Sequence, residues 1–112
     1  MLIHANISLK SFNTFGIDVT AKYFALFNSV DQLHELLEFN HPQTVNSKLQ
    51  TLILGGGSNI LLTKDIDGLA MKNEMLGIKE ISEDAHHIYV QAGAGVNWHH
   101  FVLHCIHNGW AG

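Results

Sequence analysis

From residue 23 onward, short apolar runs alternate with glycine-rich turns, and the apolar spacing changes along the way. Residues 23–27 are aromatic-rich and brief, which predicts a strand. Val30, Leu33, Leu36 and Leu37 then recur at steps of three and four, the period of a one-sided helix. Ser29-Val30-Asp31-Gln32 stands before them as a capping box, in which Ser29 accepts from the Gln32 N–H and Gln32 reaches back to Ser29. Asn40-His41-Pro42 ends the helix, and the polar residues 43–49 read as a connection. Thr51-Leu52-Ile53-Leu54 is continuously apolar, as expected of a strand buried on both faces. Residues 23–54 therefore read as a βαβ unit. It runs into Gly55-Gly56-Gly57-Ser58-Asn59, after which Ile60-Leu61-Leu62 resumes the apolar pattern. Residues 1–21 have no clean period, apart from a turn at Asn13-Thr14-Phe15-Gly16.

The second half changes style. Leu69-Ala70-Met71, residues 78–81 and residues 88–92 are strand candidates, separated by turns at Asp67-Gly68, Met75-Leu76-Gly77 and Glu83-Asp84. They read as a largely antiparallel meander closed by Gly93-Ala94-Gly95. Asn97 then caps a helix from Trp98 to about His107. Gly109 suits the left-handed residue after a helix, with Trp110 folding back on Cys105 in a Schellman closure. The pattern as a whole is α+β, with residues 1–66 as a first subdomain and 67–112 as the start of a second.

Composition narrows the chemistry. Of 112 residues 46% are apolar and 14% charged, which suits a folded domain rather than a disordered chain. The net charge is −4, and all six basic residues other than histidine are lysines. Without arginine or a basic patch, a nucleic-acid partner is not expected. Any bound phosphate must be held by backbone N–H groups, hydroxyls or scattered lysines, because no guanidinium fork exists. The lone Cys105 excludes an internal disulfide and a CxxC motif. No apolar run approaches a membrane span. With no signal-peptide pattern at the start, a soluble cytoplasmic setting is expected.

Three successive glycines leave the backbone free to take positive φ and to approach a ligand closely. Successive N–H groups in such a loop can form a concave anion site, with Ser58 and Asn59 adding donors. A plain tight turn is the alternative. Neither a P-loop nor the dinucleotide fingerprint fits. No Gly-Lys pair exists, and Ile60 and Trp98 occupy the third glycine positions of the two G-x-G starts. His100, His104 and His107 share one helix face and could bind zinc, but they leave a shell incomplete. They read instead as the solvent face opposite Trp98, Phe101, Val102, Cys105 and Ile106. Asp65 and Asp67 read as turn chemistry, and Ser58 has no base near it in sequence.

Three segments together resemble one family. Asn13-Thr14-Phe15-Gly16, then residues 54–61 (Leu-Gly-Gly-Gly-Ser-Asn-Ile-Leu), then Ala92-Gly93-Ala94-Gly95 followed by Asn97-Trp98, resemble the amino-terminal part of UDP-N-acetylenolpyruvoylglucosamine reductases. The glycine-serine-asparagine loop is shared more widely, with FAD-binding domains of the vanillyl-alcohol-oxidase type. The resemblance implies a bacterial cytoplasmic flavoenzyme of peptidoglycan precursor synthesis. NADPH reduces bound FAD, and the hydride passes to the enolpyruvyl double bond of a UDP-sugar, giving UDP-N-acetylmuramate. It implies cofactor contacts at Leu54, Gly55, Gly56, Gly57, Ser58, Asn59 and Ile60, around the FAD pyrophosphate. Family members are several times longer, and their catalytic arginine, serine and glutamate lie outside the matched part. The chain therefore reads as an amino-terminal fragment with no catalytic residue and no metal site, inactive alone. A sugar or alcohol oxidase on the same FAD scaffold, or a non-catalytic metal-binding module, are the alternatives.

Overall fold

The computed structural model describes residues 3–39 and 50–111. The predicted helix stop at 40–42 and connection at 43–49 lie outside the described residues. In chain order the elements are β1 (His4–Ser8), a 3-10 turn (Lys10–Phe12), β2 (Thr20–Phe27), α1 (Val30–Phe39), β3 (Gln50–Leu54), β4 (Ile66–Asn73), β5 (Ile78–Glu83), β6 (Ile88–Ala92) and α2 (Trp98–His107). The architecture is α+β, as expected.

One sheet has the order β1-β2-β4-β3. β2, β4 and β3 are mutually parallel, and β1 is antiparallel to β2. Side chains alternate across it and build two cores. On one face Phe24, Ala70 and Leu54 meet Leu9, Val19 and Leu62 from the two long connections. On the other, Ala25, Phe27, Leu69 and Met71 meet Leu36 of α1, which is fully buried. The helix start follows the predicted box with one displacement. The Gln32 N–H donates to Ser29 Oγ at 3.2 Å, but the Gln32 side chain accepts from the Asn28 N–H at 2.8 Å.

Three expectations need correction. Leu69-Ala70-Met71 is not part of an antiparallel meander; it is the middle of β4, which lies between β2 and β3. Its neighbouring side chains feed both cores. Asp67-Gly68 is not a turn but strand, and a Cβ at Gly68 would sit 2.0 Å from the Gln50 carbonyl oxygen of β3. The run Thr51-Leu52-Ile53-Leu54 forms an edge strand rather than a doubly buried one, so Ile53 is 53% exposed. The aperiodic start contains β1 and the 3-10 turn. β4 runs from Ile66 to Asn73 without a break.

Of the expected meander, β5 and β6 form an antiparallel hairpin. The Schellman closure of α2 forms as predicted: Gly109 has φ +73°, its N–H donates to Ile106 O at 3.0 Å, and Trp110 N–H donates to Cys105 O at 2.9 Å. The Asn97 side chain accepts from the His100 N–H at 3.1 Å.

Candidate functional site

β2, β4 and β3 end on the same edge of the sheet, since they run parallel. Ligands of open parallel sheets bind outside the carboxyl ends of the strands. The glycine loop leaves β3 at that edge. Leu54 anchors it, buried in the core, and the half-buried Ile60 packs against the same core. Any contact from Leu54 to a ligand must therefore come from its backbone. Between them, no acceptor among the described residues takes a hydrogen bond from the N–H groups of Gly55, Gly56, Gly57, Ser58 or Asn59. Gly57 is buried all the same. A buried N–H without a protein partner is rare in folded chains. Nothing lies within 4 Å of a Cβ built on Gly56, so the loop is open there. Ser58 and Asn59 are exposed beside it. A row of unpaired donors beside open space fits the phosphates of a dinucleotide cofactor.

The structure gives Gly57 a reason for being glycine that the sequence does not show. Its φ is +73°, and a Cβ there would lie 2.0 Å from the Phe12 carbonyl oxygen and 2.8 Å from the Asn13 Cα. The missing side chain makes room for the Asn13-Thr14-Phe15-Gly16 turn. The Thr14 N–H donates to the Gly57 carbonyl at 3.0 Å, and Thr14 Oγ1 is 3.4 Å from the same oxygen. Asn13 is buried and holds the turn. Its Nδ2 donates to Leu9 O at 2.8 Å and Ile17 O at 3.1 Å, and its Oδ1 accepts from the Ile17 N–H at 3.0 Å. Two motifs more than forty residues apart thus form one unit.

The third motif arrives from the other side. A Cβ on Gly55 would be 3.8 Å from the Ala94 carbonyl oxygen. Gly93 and Gly95 press on the connection between β4 and β5, with their N–H groups donating to Gly77 O and Met75 O, each at 2.9 Å. A Cβ on Gly93 would meet Met75 O at 2.1 Å. Sequence reading also missed Lys72, which stands opposite Leu54 in the strand ladder and is paired with Glu74 at 3.3 Å. A single lysine in a strand gives no signal until the register is known.

The histidines of α2 lie elsewhere. His99, His100 and His107 are exposed, while His104 is half-buried with its ring 5.6 Å from that of Trp110. Among the described residues, no group of three or more His, Cys, Asp or Glu is placed to hold a metal ion. Asp65 accepts from the Thr20 N–H at 2.8 Å, and Asp67 stands 3.9 Å from Lys22, so both carry structural contacts. Among the described residues no helix is long and apolar enough to cross a membrane.

Comparison with known proteins agrees with this geometry. A family described as an FAD binding domain matches residues 21–112. The UDP-N-acetylenolpyruvoylglucosamine reductase of Amoebophilus asiaticus is 46% identical over 115 aligned positions, covering 100% of this chain and 32% of the relative. That of Flavobacterium johnsoniae is 44% identical, with 100% and 32% covered, and one from Pseudomonas fluorescens is 41% identical, with 98% and 31% covered. The chain thus spans about a third of the length of these curated relatives. With residues 21–112 matched, the glycine loop among them, the chain belongs to the FAD-binding domain family.

Proposed function

We propose that this chain is the FAD-binding part of an NADPH-dependent UDP-N-acetylenolpyruvoylglucosamine reductase. The observation that carries the reading is the row of backbone N–H groups at residues 55–59 without a protein acceptor, at the carboxyl edge of a parallel sheet. Leu54, Gly55, Gly56, Gly57, Ser58, Asn59 and Ile60 form the cradle for the FAD pyrophosphate, Leu54 through backbone alone. Bound FAD supplies hydride carriage between NADPH and the enolpyruvyl group of the UDP-sugar. The chain's own task is to hold two phosphates without arginine, so N–H dipoles and the Ser58 and Asn59 side chains must balance the charge. We assign no catalytic residue to residues 1–112. The names of the relatives support a UDP-sugar substrate and a bacterial enzyme. The acidic balance argues against a nucleic-acid partner. We place the change of subdomain after Asn73, where β4 ends.

Gly56→Asp in the complete gene product tests the cradle. The open space at Gly56 spares the fold, while the carboxylate brings like charge to the phosphates. The parent should purify with FAD and sustain NADPH oxidation beyond the first reduction of its flavin only when the enolpyruvyl sugar nucleotide is added. Gly56→Asp should lose FAD with unchanged circular dichroism. A full complement of FAD in Gly56→Asp would refute the cradle.

A further inference from the structure

We infer that the Asn13-Thr14-Phe15-Gly16 turn is a clasp that sets the direction of the peptide between Gly57 and Ser58, making Asn13 and Thr14 positioning residues for FAD. The inference rests on residues 55–59 being the FAD cradle. Its starting point is peptide geometry. In a trans peptide the C=O and the following N–H point in opposite directions, and this chain has no cis bond among the described residues. Thr14 takes the Gly57 carbonyl from one side, through its N–H at 3.0 Å and its hydroxyl at 3.4 Å. The Ser58 N–H of the same peptide must then point away from the turn. Were this peptide to rotate, a carbonyl oxygen would face the anion where a donor belongs.

Glycine at position 57 is what leaves that rotation open. Without a Cβ the residue has more accessible φ and ψ than any other, so the loop needs an external constraint. The turn is built to supply one. Asn13 is 7% exposed, and all three of its side-chain hydrogen bonds go to the backbone of residues 9 and 17, the two ends of the segment carrying Thr14. None reaches the loop itself. Asn13 therefore acts by fixing Thr14, and Thr14 by fixing Gly57. Phe15, at the tip of the turn, is 63% exposed and takes no part in this core.

The test compares Asn13→Ala, Thr14→Val and Thr14→Ser in the complete gene product. FAD affinity is read by quenching of flavin fluorescence. Amide exchange at Thr14, whose N–H donates to the Gly57 carbonyl, is read in the FAD-free protein, which separates the clasp's geometry from turnover. Asn13→Ala should weaken FAD binding about tenfold or more and speed exchange of the Thr14 amide. Thr14→Val should weaken it about threefold, while Thr14→Ser, which keeps the hydroxyl, should match the parent. Should Asn13→Ala fail to fold, the Val and Ser pair decides alone. Unchanged FAD affinity in Asn13→Ala, weaker affinity without faster exchange, or equal affinities for Thr14→Val and Thr14→Ser would each overturn the clasp. Gly56→Asp serves as the control. If it loses FAD while the clasp variants bind normally, only the clasp fails; if it keeps FAD, the cradle reading fails.

Discussion

Replacing Gly57 by alanine adds one carbon, and the structure says where it goes. At φ +73° an L side chain strains the backbone, by about 1–2 kcal/mol. The new Cβ would also lie 2.0 Å from Phe12 O and 2.8 Å from Asn13 Cα, and both obstacles are backbone. Neither can rotate aside, because Asn13 pins the segment at Leu9 and Ile17. Relief requires lifting the turn off the loop, with overpacking strain of about 1–3 kcal/mol. It also gives up the Thr14–Gly57 hydrogen bond, about 1 kcal/mol. Gly57→Ala should therefore destabilise the protein by about 3–6 kcal/mol. Gly16→Ala isolates the first contribution. Gly16 has φ +66°, yet nothing lies within 4 Å of its Cβ, so it should cost only about 1–2 kcal/mol. Urea unfolding followed by circular dichroism measures both variants under one condition. If Gly57→Ala proves no more destabilising than Gly16→Ala, the close approach of turn and loop does not exist in solution.

Leu36 is the buried residue of α1, and Leu36→Ala should lower stability by about 2–5 kcal/mol, read as a lower urea midpoint. Asn97→Ala removes the side-chain acceptor of the His100 N–H, and should cost about 1 kcal/mol at the start of α2, seen as faster exchange of that amide. At the tip of the β5–β6 hairpin, N–H groups of His86 and His87 donate to Asp84 Oδ1 at 2.8 and 2.7 Å and hold its carboxyl below the usual range. Because the folded value is the lower one, this stabilisation is present at neutral pH and lost as pH falls through the folded pKa. Titration of Asp84 by NMR should show a midpoint below that of aspartate in an unstructured peptide; a midpoint at or above it would contradict the assignment.

Local signals were legible in the sequence because each depends on residues within one or two helical turns. The start of α1 at Val30, the Asn97 cap and the Gly109 closure of α2 follow from side chains competing for nearby N–H and C=O groups, whatever the remainder of the chain does. The glycine loop was legible for the same reason, as was the absence of any arginine to grip a phosphate. Strand order was not. An apolar run such as Thr51-Leu52-Ile53-Leu54 reports that a strand can be buried, but its neighbours are chosen elsewhere in the chain. The preference of Leu69-Ala70-Met71 for the space between β2 and β3 left the earlier run at the edge. The role of Gly57 lay deeper still. Sequence shows a residue without a side chain, and only the tertiary structure shows that the vacant side is filled by the Phe12–Asn13 backbone rather than by a ligand. A close approach between segments more than forty residues apart has no local signature, since it exists only once both cores have packed.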